Sequence, residues 1–319
     1  MGLSGGVQSV LAGFATIAVI IGLGALLAHL RILDAQSQGM LARLSFYVAS
    51  PALMVTVLGR AEVSQLFSSN LTASLGSVVV TATIAVVLAR LVWRRSASDT
   101  VVAAFCASYV NAGNLGLPVA AYVLGDASLI APMLLAQLVV LQPLGLAVLD
   151  LTVRAADPEQ SRGARLRRRL IQPFRNPLMV GSLIGLLLSV TGWELPRVVT
   201  DPLVLVGGMA VPAMLIAYGI SLRLGPRPGA GEPPVQIATL VALKLVVQPG
   251  TAYLLGRFLV GLEGLDLLAV TVVAALPTAQ NVFAIALRYR RAEILARDAI
   301  FISTVLSVPV LVLIAGLLG

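Results

Sequence analysis

Four amide side chains lie beside two proline interruptions of otherwise apolar segments: Asn111 and Asn114 ahead of Pro118, and Gln280 and Asn281 just after Pro277. Amides offer donors and acceptors without a fixed charge, which suits coordination of a carboxylate, or of an ion, at a break in a helix. Backbone that unwinds at membrane depth survives only where it is buried in protein or lines a cavity. Such breaks at matching places in two halves of a chain mark the substrate site of a secondary transporter. The competing role for these amides is to satisfy backbone groups that the breaks set free.

Apolar helices must carry the breaks. With 58% apolar residues, 11% charged and a mean hydropathy of +0.97, the chain has no large soluble domain. A hydrocarbon core of ~30 Å takes about 20 apolar residues per helix. The sequence predicts an all-α membrane protein of ten transmembrane helices: 7-28, 40-59, 70-89, 100-124, 127-149, 177-193, 202-222, 235-256, 267-287 and 299-318. The first run lacks a basic leader and is longer than a signal-peptide core, so it counts as a helix.

Charge sets orientation, because cytoplasmic loops retain Arg and Lys. Basic residues crowd the connections after odd-numbered spans, whereas those after even-numbered spans hold only Arg60, Arg197 and Arg257. The odd loops are therefore expected in the cytoplasm and both termini outside. The net charge of +8 and the pI near 10.5 follow from this topology, with no basic-aromatic motif for nucleic acid. Arg162 to Arg169, the densest patch, reads as a solvated loop at anionic headgroups.

Ser50-Pro51-Ala-Leu-Met54 matches Val211-Pro212-Ala-Met-Leu215 at an offset of 161 positions, and Pro118 precedes Pro277 by 159. Five spans separate each pair, so the second half is expected to be inverted relative to the first. The domains are then 1-153, a basic linker 154-176, and 177-319. Proline inside a helix costs on the order of 3 kcal/mol. Pro51 and Pro212, with small apolar neighbours, read as scaffold kinks; Pro118 and Pro277 read as site breaks.

No Asp or Glu falls inside the predicted spans, which argues against a buried carboxylate proton relay. An anion could instead sit at half-helix N-terminal ends, which carry about +0.5 charge, in a uniporter or a potential-driven carrier. Lys244, the sole lysine, lies deep in span eight. It is a candidate charge partner for the substrate or for protonation-coupled transport; equally, it could pair with backbone carbonyls at a break or reach the cytoplasmic face. Gln137 and Gln142 could hydrogen-bond between helices. One histidine, His29, and the isolated Asp266 leave no metal or intramembrane-protease motif, and the lone Cys106 leaves no disulfide. No enzyme activity, metal or cofactor is expected.

Asn111-Ala-Gly-Asn-Leu-Gly-Leu-Pro118, Val139-Val-Leu-Gln142, the ten-span layout and the central basic loop resemble the auxin efflux carrier family. The resemblance implies a sodium/proton-antiporter-like 5+5 inverted repeat with crossing broken helices 4 and 9. Spans 1, 2, 6 and 7 would form a scaffold, often dimeric, and spans 3-5 with 8-10 a core moving as an elevator. It puts substrate contacts on Asn114 and Gln142 and crossover prolines on Pro118 and Pro277. The short linker and arginine-rich composition suggest a bacterial inner-membrane member that carries small organic anions, either dicarboxylates or auxin-like carboxylates. A sodium-coupled symporter, resembling the bile-acid transporters, and a membrane receptor without transport are the alternatives.

Overall fold

The computed structural model describes residues 3–60, 69–116, 119–153 and 177–318. These form helices, with no strand among them beyond one isolated bridge. In chain order they are α1 (Leu3–His29), α2 (Ala35–Leu58), α3 (Ser69–Val92), α4 (Ala97–Ser108), α5 (Ala131–Thr152) and α6 (Pro177–Thr191). There follow α7 (Arg197–Leu224), α8 (Pro234–Val260), α9 (Gly264–Ala275), α10 (Asn281–Tyr289) and α11 (Glu293–Leu318). Among the described residues, six helices are long and apolar enough to cross a membrane: α2, α3, α5, α7, α8 and α11. Shorter apolar helices occupy Ala15–His29, Ala97–Ser108, Pro177–Thr191 and Gly264–Ala275. The predicted linker 154-176 lies outside the described residues.

Proline shapes three of the long helices in one way. Wide π-helical turns cover Ser45–Ala49, Gln137–Leu141 and Leu243–Val247, each ending two residues before a proline: Pro51, Pro143 and Pro249. A proline has no N–H for the carbonyl four residues back, and its ring crowds that carbonyl. The preceding turn relaxes by opening, and π turns of this kind recur at functional sites. Ser45, Gln137 and Lys244, three buried polar side chains, sit on these turns. Pro212 differs: it follows the interruption of α7 at Met209, between Arg197–Gly208 and Ala210–Leu224.

Glycine lets backbones meet on the α1, α2, α6 and α7 side. A Cβ on Gly24 would overlap the Ile216 carbonyl, and one on Gly219 the Ile21 carbonyl, so α1 and α7 cross in backbone contact. Gly181 and Gly185 of α6 and Gly207 of α7 approach the α2 backbone at Pro51, Met54 and Leu53 in the same way. Close contact of this sort holds helices together in lipid, where burial from water supplies no driving force. Large apolar side chains such as Leu91, Leu205, Phe258 and Leu317 remain on the outside, where lipid tails solvate them.

At the N-terminal entry to α2, Asp34 caps the helix: its Oδ1 accepts from Ser37 N at 2.8 Å, and its own N–H donates to Ser37 Oγ at 3.3 Å. The Ser37 backbone N–H and, second, the Ser37 hydroxyl, which also donates to Asp34 Oδ1 at 2.8 Å, hold the Asp34 carboxyl below its ordinary value of 3.8. A lowered carboxyl stabilises the fold above the unfolded-state value and loses that contribution as pH falls through the folded one. A carboxyl-carbon NMR titration of Asp34 should therefore show a midpoint below 3.8, and Ser37→Ala should move it upward. A wild-type midpoint at or above 3.8 would refute the cap, and an unmoved midpoint in Ser37→Ala would refute the hydroxyl's share of it.

The predicted last span, 299-318, leaves Arg297 and Asp298 outside, whereas both are buried inside α11, which begins at Glu293. Arg297 Nε donates to Asp298 Oδ1 at 2.7 Å, Tyr218 OH to the Arg297 carbonyl at 2.6 Å, and Gly229 N to Asp298 Oδ2 at 2.8 Å. Pairing compensates both charges, so a hydropathy window cannot distinguish this buried pair from a solvated loop end.

Candidate functional site

Both short helices, α4 and α9, stop inside the protein, and their ends bind each other. Val110 and Thr278 form an antiparallel bridge; Asn111 N donates to the Pro277 carbonyl at 2.9 Å and Ala279 N to the Tyr109 carbonyl at 3.1 Å. The carbonyls freed by stopping each helix are taken up by side chains. Thr278 Oγ1 donates to Cys106 O at 2.6 Å, Gln248 Nε2 to Ser108 O at 3.0 Å, Gln137 Nε2 to Val110 O at 2.8 Å and Lys244 Nζ to Ala274 O at 2.7 Å. Leaving a buried carbonyl bare costs about 1–3 kcal/mol, which is why so many polar side chains gather on apolar helices here.

A cavity of about 330 Å³ opens beside the breaks. One wall is amide: Asn111, Asn114, Gln137, Gln142, Gln280 and Asn281, with Tyr109. The opposite wall comes from α2 and α7, with Phe46, Leu53, Met54, Met214 and Leu215. No charged side chain appears among the described lining residues. Gln280 Oε1 accepts from Asn111 Nδ2 at 2.7 Å and from Asn114 Nδ2 at 3.4 Å; Gln142 Oε1 accepts from Asn281 Nδ2 and from Tyr109 OH, both at 3.1 Å. The amide wall retains a donor and an acceptor to spare, because Gln280 Nε2 and Asn281 Oδ1 are buried without a partner. Asn281 also opens α10, so the partial positive end of that helix faces the same region.

Five of the sequence-selected residues, Asn111, Asn114, Gln142, Gln280 and Asn281, thus share one cavity. Pro277 contributes its carbonyl to the paired breaks but does not line the cavity, and Pro118 lies outside the described residues. Pro51 and Pro212 stay off the wall while their neighbours Ser50 and Val211 line it. Lys244 is fully buried behind the second break, away from the cavity lining. Sequence reading passed over Gln248 and Thr278. Gln248 carries a usable signal, an amide directly before a proline in an apolar run, shared with Gln142-Pro143; Thr278 carries none, since threonine is common in apolar helices.

A family model described as membrane transport protein matches residues 9–315. The chain belongs to this family, the auxin efflux carriers. It is 25% identical over 291 residues to a Rhizobium meliloti protein described as "Putative malonate transporter", covering 91% of this chain and 89% of the relative. It is also 27% identical over 301 residues to an "Uncharacterized transporter" of Methanothermobacter thermautotrophicus, covering 92% and 93%. This is a family of membrane transporters and not of enzymes. Membership, with the long apolar helices, makes this an integral membrane protein that handles a small-molecule substrate.

Proposed function

We propose that the protein carries small organic anions across the bacterial inner membrane by an elevator movement. The observation that carries this reading is the composition of the cavity: amides on the breaks form one wall and α2 with α7 form the other. In this reading the chain has ten spans in a 5+5 inverted repeat, with α4 and its continuation crossing α9 and α10. α1, α2, α6 and α7 are a scaffold that also pairs two copies, and the remaining helices move against it. Both termini face outward, following the arginine distribution. Neutral amides and half-helix N-terminal ends hold the carboxylate without a fixed countercharge. An anion moved outward gains about 2.3 kcal/mol per charge per 100 mV of interior-negative potential, so uniport efflux needs no coupling ion.

Malonate, named for the Rhizobium relative, is the first substrate to test, with malate and indole-3-acetate beside it. Radiolabelled flux through reconstituted vesicles should be saturable and follow an imposed potential. Asn114→Ala and Gln142→Ala should each slow it about ten- to a hundredfold, since loss of one hydrogen bond to a charged group is worth roughly 1.5–3 kcal/mol. Normal flux in both variants would move the site elsewhere. Ligand binding without any flux would identify a receptor.

A further inference from the structure

Wherever a helix stops inside a membrane protein, its C-terminal carbonyls leave about half a negative charge. Unwound carbonyls and half-helix C-terminal ends are where broken-helix carriers commonly hold a dissociable cation. Two such ends meet here, at Ser108 of α4 and Ala275 of α9. Both are served from a single face of α8: Lys244 Nζ reaches Ala274 O at 2.7 Å and Gln248 Nε2 reaches Ser108 O at 3.0 Å. The two residues are four apart, so their side chains lie one above the other. Both are fully buried. The ion pairs found among the described residues are Arg95–Glu232, Arg257–Glu263 and Arg297–Asp298, so the partner of Lys244 is the carbonyl end of α9 and no carboxylate. One further acceptor is free on the same face, the buried and unpartnered Gln248 Oε1.

We infer that the Lys244 side chain is a tethered cation that occupies the carbonyl end of α9 in place of a dissociable ion, so that the carrier works without sodium. Lys244 does not line the substrate cavity; it acts through the backbone of the second break and is a positioning residue. Truncating it opens a pocket that offers the Ala274 carbonyl and, one turn along, Gln248 Oε1, a ligand set for a small free cation. The functional half of this inference rests on the carrier reading above. The cation half stands without it.

The test pairs two measurements on the full chain. Thermal unfolding of the purified protein is followed in sodium, methylammonium or tetramethylammonium chloride at one ionic strength. Wild type should unfold at one temperature in all three salts. Lys244→Ala should unfold earlier and be selectively restored by methylammonium or sodium, because tetramethylammonium donates no hydrogen bond and is too large. Flux is then measured in sodium and in choline. Wild type should be equal in both, and Lys244→Met, which fills the space without a donor, should fall about tenfold. Sodium-specific stabilisation or acceleration of wild type overturns the inference, as does a Lys244→Ala protein that responds alike to all three salts or a Lys244→Met protein at full rate. If Lys244→Ala cannot be purified, the wild-type arm and Lys244→Met decide. If no tested anion moves through wild type, the unfolding arm still decides, and only the substrate reading has failed.

Discussion

Gln280→Leu is expected to lose transport about tenfold or more while remaining folded. Gln280 Oε1 is the shared acceptor of Asn111 and Asn114, at 2.7 and 3.4 Å, and its Nε2 is a buried donor with no partner in the protein. Leucine is of similar size, so the space that Gln280 fills in the amide wall stays occupied. The Asn111 amide then has no acceptor, at a cost of roughly 1–3 kcal/mol, and the spare donor disappears. Initial rates in vesicles together with an unfolding curve separate the two effects. Gln280→Glu adds a sharper discrimination. It keeps the acceptor and the shape but places a carboxylate in a chamber otherwise lined without charge, so an anion should be excluded more strongly than by leucine. Faster anion flux in Gln280→Glu would refute the organic-anion reading.

The second large effect is structural. Gly219→Leu should destabilise the protein by about 3 kcal/mol, the upper end for overpacking, because its Cβ would overlap the Ile21 carbonyl where α1 and α7 cross. Backbone is on both sides of this contact, so no side chain can rotate to make room. Gly24→Leu, facing the Ile216 carbonyl across the same crossing, should behave alike. Gly22→Leu is the control, since nothing lies within 4 Å of its added Cβ. The readouts are the unfolding midpoint and the fraction of monodisperse protein after purification. If all three variants behaved alike, the glycine crossing would not be what holds these helices together.

The helical class was legible because hydropathy is a local property summed along the chain, and both broken segments were legible because proline and polar residues interrupt apolar runs. The limits of each break were not. The first helix of the fourth segment ends at Ser108, well before Pro118, and the ninth resumes at Asn281. Those ends depend on bonds between the breaks, such as Asn111 N to the Pro277 carbonyl, which join residues far apart in sequence. The burial of Arg297 with Asp298 escaped for the same reason, since two charges read as a loop until each is seen to neutralise the other.

The sequence by itself therefore determined that the chain is a helical membrane protein and which amides accompany its interruptions, because composition and spacing depend only on neighbours along the chain. Only the tertiary structure decided what each of those polar groups faces. It turned Asn111, Asn114, Gln142, Gln280 and Asn281 to one cavity and Lys244 and Gln248 to the helix ends behind it. An amide in an apolar helix must find a partner, but whether that partner is a freed carbonyl or a space for a ligand depends on which remote segments pack against it.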